Sequence, residues 1–198
     1  MTKSYLLGID IGTSACKVAV FDRNGQVLAA ANGDYPVYYP QEGWAEQNPE
    51  EWWSAVCKAT KETIQKAGIA PEEIAGVGID GQSWSAIAID KEGKVLTNTP
   101  IWMDTRAQVI CDRLNEEIGA DRIFEVAGNS LQPSYTTAKI IWYKENLPEV
   151  YKKRKNHIFC LATLTAFHCL VHHDTGNCRL RKEHAGSKRH QCIALCIS

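Results

Sequence analysis

Tyr5-Leu6-Leu7-Gly8-Ile9 is a short apolar run that ends on Asp10, and Lys17-Val18-Ala19-Val20-Phe21 is a second run that ends on Asp22. Apolar runs this short, bounded by carboxylates and turn residues, predict strands. A third run, Gln26 to Ala30, follows Asp22-Arg23-Asn24-Gly25, whose Asn-Gly pair suits a type I′ turn. The three runs predict an antiparallel meander. The period changes at Asn48, which fits an N-cap, with Pro49 at the first helical position and Glu51 completing a capping box. Trp52, Val56, Ala59, Thr63 and Ala67 then recur at helical spacing until Gly68 supplies a stop. Ile74 to Asp80 returns to a strand pattern and is expected to be buried, with Ser85 to Asp90 as its partner before the turn Lys91-Glu92-Gly93-Lys94. Further helices are predicted over Ala107–Ile118 and Thr137–Glu145. Strands, a helix and more strands predict a mixed α/β sheet.

Composition adds a boundary. The chain has 198 residues and is 44% hydrophobic, enough for one good-sized domain or two small ones, which excludes a disordered or collagen-like chain. A net charge of -1 provides no field to attract nucleic acid or an anionic membrane, so neither partner is expected. The N-terminus reaches Asp10 too soon for a secretory signal, and the apolar stretch Ile158 to Val171 is shorter than the ~20 residues a membrane span needs. A cytoplasmic protein without a membrane span is the expectation. Residues 1–151 hold 13 Lys+Arg against 21 Asp+Glu and all six Trp, whereas residues 152–198 hold nine Lys+Arg against two Asp+Glu and all six His. The chain therefore divides into an acidic domain, 1–151, and a basic Cys/His-rich tail, 152–198.

The residues that could carry chemistry gather after the first strand. Asp10-Ile11-Gly12-Thr13-Ser14 sets a carboxylate at a strand end, then a glycine that lets backbone approach a ligand, then two hydroxyls able to donate to phosphate oxygens, with Lys17 on the next strand. A carboxylate so placed suits a hydrated Mg²⁺, which keeps most of its waters and takes one or two protein carboxylates together with substrate phosphates. Taken alone, an Asp-x-Gly-Thr hairpin is more often a structural turn. Trp44, Trp52 and Trp53 read as packing aromatics, Asp80 and Asp90 as strand-end turn formers, and Lys139 as either a solvated helix residue or a functional one.

Five segments, however, stand in order: Leu7-Gly8-Ile9-Asp10-Ile11-Gly12-Thr13-Ser14 with Lys17; Gly43-Trp44-Ala45-Glu46-Gln47-Asn48-Pro49 with Trp52-Trp53; Ile79-Asp80-Gly81-Gln82-Ser83-Trp84; Ile101-Trp102-Met103-Asp104-Thr105-Arg106; and Tyr135-Thr136-Thr137-Ala138-Lys139-Ile140-Ile141-Trp142. Together they resemble the N-terminal domain of the FGGY family of carbohydrate kinases. Within the family the resemblance is greatest to xylulokinase-like members. It implies an actin-like ATPase, ribonuclease H-like, α/β fold: a mixed sheet with flanking helices, present here as an incomplete N-terminal domain. It implies ATP and Mg²⁺ as cofactors, with Asp10 in the metal-and-phosphate role and Gly12, Thr13, Ser14 and Lys17 cradling phosphates. Gln82, Ser83, Trp84 and Tyr135 would line the sugar site. Asp104 would accept from sugar hydroxyls, and Arg106 would be its ion-pair or loop-locking partner beside the sugar.

The resemblance also marks departures. Ser83-Trp84 stands where the best-known xylulokinase pattern has Met-His, which leaves the sugar open among ketopentoses such as xylulose and related polyols. The family's general-base Asp, in a later Gly-Asp segment, has no counterpart here, since His172-His173-Asp174-Thr175-Gly176 does not match it. The expectation is a sugar kinase whose present chain lacks the base and is inactive alone; homodimeric assembly of the parent stays open. The alternatives are a sugar- or phosphate-binding domain without transfer chemistry, or a tail that binds zinc or nucleic acid. For the tail, an out-of-frame C-terminus is the favoured account. Ten Cys and His residues between Cys160 and Cys196 include no Cys-x-x-Cys pair, which counts against a zinc site.

Overall fold

A computed structural model of the chain describes residues 4–153 together with the backbone of Phe159–Leu161. In chain order the elements are β1 (Tyr5–Ile11), β2 (Ala15–Phe21), β3 (Val27–Asp34), β4 (Glu46–Gln47), α1 (Pro49–Ala67), a 3-10 turn (Pro71–Glu73), β5 (Ile74–Gly81), β6 (Ala86–Ala88), β7 (Thr99–Pro100), α2 (Gln108–Ile118), α3 (Ala120–Ala127), α4 (Thr136–Asn146), α5 (Pro148–Lys153) and β8 (Phe159–Leu161). They divide into two compact units, whose described residues are 4–36 with 50–82, and 37–49 with 83–153 and β8.

The first unit is built on a four-stranded sheet in the order β3-β2-β1-β5, with β1–β2 and β2–β3 antiparallel and β1–β5 parallel. Alternation decides which face is covered. Leu7, Ile9 and Ile11 of β1 and Cys16, Val18 and Val20 of β2 are buried, while Asp10 and Lys17 fall on the opposite, exposed face. Helix α1 buries Trp52, Val56, Ala59 and Thr63, as its spacing predicts. The Thr63 hydroxyl donates to the Ala59 carbonyl at 2.7 Å and also lies 3.3 Å from the Val18 carbonyl, which ties the helix to the sheet. Helix and strand approach closely at Gly33, where an added Cβ would lie 2.8 Å from the Ala55 carbonyl oxygen and 3.1 Å from the Cys16 sulfur.

Three details differ from the sequence expectations. The Asp22–Gly25 turn is not type I′, because Gly25 takes φ 79° while Asn24 stays out of the left-handed region. The Asp22 carboxylate instead accepts from the Asn24 and Gln26 amides at 2.8 and 2.9 Å, and the register slips between Val20 and Phe21 to take up the longer loop. Strand β5 is only half-buried beyond Ile74, since it is the edge of the described sheet. Its expected partner forms only the short β6, which pairs antiparallel with β8 rather than with β5. Trp84, at φ 66°, turns the chain between β5 and β6.

The second unit has its core where α2 and α4 meet β6: Ala86, Ala107, Ile110, Cys111, Ala138, Trp142 and Tyr143 are buried there, with Trp44 packed edge-on to Trp142 at 5.2 Å between ring centroids. Helix α3 is absent from the sequence expectations, because Gly119 at φ 91° ends α2 and the chain then restarts as a new helix. Asp90 accepts from the Glu92 and Lys94 amides, so it is the turn former its position suggested. Among the described residues no helix is long and apolar enough to cross a membrane. The histidines of the basic tail, and its cysteines apart from the backbone of Cys160, lie outside the described residues, as does the zinc reading of them.

The close approach at Gly33 carries a prediction. Gly33→Ala is expected to destabilise the first unit by ~1–3 kcal/mol, because the new methyl meets backbone rather than a flexible side-chain end. Urea unfolding followed by tryptophan fluorescence checks it, since α1 carries Trp52 and Trp53.

Candidate functional site

The first unit places the Asp10–Lys17 hairpin, which the sequence reading assigns to phosphate, at one end of the sheet. Register pairs Asp10 with Lys17 across the β1–β2 hairpin and with Asp80 across the parallel β1–β5 pair, so all three fall in one row on the exposed face. The Gly12 amide closes the turn by donating to the Ala15 carbonyl at 3.0 Å, and a Cβ at Gly12 would sit 3.1 Å from that same oxygen. The Gly12 carbonyl accepts the Tyr35 hydroxyl at 2.6 Å and the Gln82 side-chain amide at 3.4 Å. Tyr35 also donates its backbone amide to Ser14 at 3.2 Å. Burial, helped by the nearby Cys16 and Asp10, pushes the Tyr35 phenol well above its ordinary range, so it stays a proton donor to the turn.

Gly12 therefore shapes the hairpin rather than offering its amide to a phosphate. The outward groups are the Asp10 carboxylate, the Lys17 ammonium and the exposed Ser14 hydroxyl. This donor set fits a hydrated Mg²⁺ that takes one protein carboxylate and is otherwise held by waters and phosphate oxygens. Among the described residues no group of three or more His, Cys, Asp or Glu could hold a metal by itself. Gln82 belongs to the same unit, its backbone amide donating to the Ile11 carbonyl at 2.8 Å. The second unit, which includes 37–49, resumes at Ser83. Tyr35 is the residue of this group that sequence reasoning missed, since nothing in its local pattern separates it from an ordinary core aromatic.

In the second unit Arg106 and Asp104 form a closed knot. The Arg106 side chain is 3% exposed, and its guanidinium donates to both Asp104 oxygens and, through Nη2, to Glu46 at 2.8 Å. It lies 3.8 Å from the centroid of the Trp44 ring and 5.0 Å from that of Trp142, a cation–π arrangement on two rings. The fully buried Asp104 also accepts the Ala45 amide at 2.7 Å and the Arg106 amide at 3.0 Å. Its oxygens are thus committed to the protein, and no face of the carboxylate is left for the sugar hydroxyl the sequence assigned to it. The geometry makes Asp104 and Arg106 the frame of the site. They join the 43–47 segment to the 99–106 turn, which β4 and β7 also pair.

Trp84 is 44% exposed and its ring lies 4.9 Å from the Tyr135 ring, and it is the only non-glycine among the described residues at positive φ. Trp102 is likewise 44% exposed, and Ser83 is exposed beside Trp84. Lys139 is neither solvated nor paired directly with a carboxylate. It is fully buried, and its ammonium donates to the Trp84 carbonyl at 2.9 Å and the Ile101 carbonyl at 2.7 Å. Burial lowers its pKa to about 7, with Arg106 adding to the fall and Asp104 opposing it.

A sheet of this order, with the Asp10–Lys17 hairpin between its first two strands and a helix after the third, has the architecture that opens an actin-like ATPase fold. A profile of the FGGY family of carbohydrate kinases, N-terminal domain, matches residues 5–176, reaching past the compositional break after Tyr151. The chain is 34% identical over 149 residues to the xylulose kinase of Bacillus subtilis (strain 168), covering 75% of this chain and 30% of that protein. It is 32% identical over 165 residues to the glycerol kinase of Rhizobium meliloti (strain 1021), covering 82% of this chain and 33% of that one. It superposes on the gluconate kinase of Lactobacillus acidophilus with a TM-score of 0.74 at 25% identity, over 83% of this chain and 32% of that chain. The chain belongs to the FGGY family of carbohydrate kinases. It spans about a third of the length of these relatives.

Two predictions follow from the buried cations. Arg106→Met leaves Asp104 buried without its counter-ion, and its cost in urea unfolding is expected to be ~3–5 kcal/mol. Lys139 holds a proton less firmly in the folded chain than the ordinary 10.5 of an unfolded lysine, so between about 7 and 10.5 the unfolded state binds more protons. Its contribution to stability therefore rises with pH across that window, by up to ~1.4 kcal/mol per unit, and is flat below it. Lys139→Met should remove that slope, and the Lys139 Cε resonance in carbon NMR should titrate near 7 in the wild-type chain.

Proposed function

We propose that this chain supplies the sugar face and the phosphate hairpin of an ATP-dependent sugar kinase, with a ketopentose such as xylulose, or a related polyol, as acceptor. The half-exposed Trp84 indole carries this reading, because a large aromatic held in a disfavoured backbone conformation and left open to solvent is better suited to a ligand than to packing. Membership of a carbohydrate-kinase family and the similarity to a xylulose kinase support the acceptor class. A cytoplasmic setting, where ATP is available, fits the same reading.

Phosphoryl transfer to a sugar hydroxyl depends on holding the acceptor in line with the phosphate, on neutralising charge at the phosphoryl oxygens, and on a base for the hydroxyl proton. Bound Mg²⁺ would supply charge neutralisation, with Asp10 the residue that would hold it through water. Lys17 offers a second positive charge at the hairpin, and Ser14 a hydroxyl donor. Ser83, Trp84 and Tyr135 offer the acceptor a hydroxyl partner, an aromatic face and a phenol. Asp104 and Arg106 act one layer behind, keeping the turn that bears Trp102 in place. The family's Gly-Asp base has no match among these 198 residues, so we place the chain's contribution at binding rather than transfer.

Measurement of ADP release from the 198-residue chain with Mg-ATP and D-xylulose, glycerol or gluconate tests this, paired with calorimetric titration of each sugar. The expected outcome is sugar binding without sugar-dependent ADP release. Turnover would show that the chain carries a base of its own. Absence of binding to every sugar would overturn the sugar face.

A further inference from the structure

We propose that Lys139 is the positioning residue of the sugar face: one buried amine, donating to the Trp84 and Ile101 carbonyls together, fixes the two segments that present the half-exposed indoles of Trp84 and Trp102. The inference rests on the sugar-kinase reading for its binding consequence, but the clamp itself does not.

Four observations converge on it. Lys139 is fully buried on α4 and, among the described residues, forms no ion pair with a carboxylate, although Asp104 is close enough to influence it; Asp104 is committed to Arg106. A buried amine in such a place is retained for what it donates to. Trp84 sits at φ 66°, a conformation that a bulky L-residue adopts only when its surroundings impose it. Among the described residues its carbonyl accepts from Lys139 alone, while its ring lies against Tyr135, so Lys139 is the hydrogen-bond donor that holds this backbone. The second acceptor, Ile101, immediately precedes Trp102, and its carbonyl also takes the Asp104 amide at 3.1 Å, which links the clamp to the Arg106 knot. Trp84 and Trp102 are exposed to the same degree, 44%, and are the two tryptophans of the chain most open to solvent. A neutral amine keeps two N–H donors, which is what the two carbonyls require, so the clamp holds on either side of the Lys139 titration.

Lys139 touches neither sugar nor phosphate in this arrangement, and a merely structural role would predict general destabilisation. Positioning predicts something narrower. In nitrogen–proton NMR of the full chain, the six indole N–H signals are assigned from single Trp→Phe variants. Lys139→Met is expected to shift or broaden the Trp84 and Trp102 signals while those of Trp52 and Trp53, on α1, stay in place. Unmoved Trp84 and Trp102 signals in a folded Lys139→Met chain would overturn the proposal. Should that variant not fold, Lys139→Met/Trp84→Gly gives the glycine its accessible positive φ, and Trp102 alone is read: moved supports the clamp, unmoved overturns it. Titration with D-xylulose adds the binding arm. Lys139→Met and Trp84→Phe are each expected to weaken binding by about tenfold, and the double variant no more than the weaker single one, because both act through one element. Additive losses would overturn positioning through Trp84. If the wild-type chain binds no sugar, the sugar-kinase reading fails while the indole signals still decide the clamp.

Discussion

Two cations are buried a short distance apart in the second unit, and only one of them has a carboxylate to itself. Arg106 is matched by Asp104 and Glu46 and lies on the faces of two tryptophans, whereas Lys139 meets only carbonyl oxygens. Removing an ammonium or guanidinium from water is costly, so each must be surrounded by fixed acceptors: carboxylates for Arg106 and backbone carbonyls for Lys139, all carried by short or irregular segments. The 43–47 segment, the 99–106 turn and the Trp84 turn thereby acquire one geometry without long strands to hold them. The knot explains why the Gly-Trp-x-Glu-Gln and Trp-x-Asp-x-Arg patterns occur together: Gly43 accepts the Thr105 amide and hydroxyl, Ala45 donates to Asp104, and Glu46 meets Arg106.

The first unit solves a different problem with regular structure. Parallel pairing of β1 with β5 brings Asp10 and Asp80 to neighbouring strand ends, and antiparallel pairing with β2 adds Lys17. Tyr35 and Gln82 then brace the turn through the Gly12 carbonyl, leaving the carboxylate and ammonium outward. Chemistry that depends mainly on placing phosphates and acceptor benefits from such rigidity, because a misplacement of about 1 Å is enough to slow it severely.

Much of this was legible in the chain. The meander, α1 and the helices near 108–118 and 136–146 follow from periodicity, and the hairpin from Asp10 to Lys17 follows from residue type and order. What could not be read there involves partners far apart in sequence. Asp104 looks like a ligand group until Ala45 and Arg106 are seen to use its oxygens; Lys139 reads equally as solvated or functional until α4 is packed. Trp84 gives no sign of its left-handed backbone, which a sequence reader reserves for glycine. The Asp22 turn shows the same limit on a smaller scale: Asn-Gly suits type I′, but the Asp22 side chain imposes another loop by capturing two amides. The basic tail stands apart by composition, although β8 pairs with β6 and the family match runs to residue 176.

Backbone amide shift mapping of the 198-residue chain during titration with D-xylulose tests the central claim most directly, namely that a sugar is met by the face around Trp84. The account predicts that the largest changes fall on Ser83, Trp84, Trp102 and Tyr135, with little change on the exposed α3 residues Phe124 and Val126. Changes centred on α3, or spread evenly over both units, would contradict it.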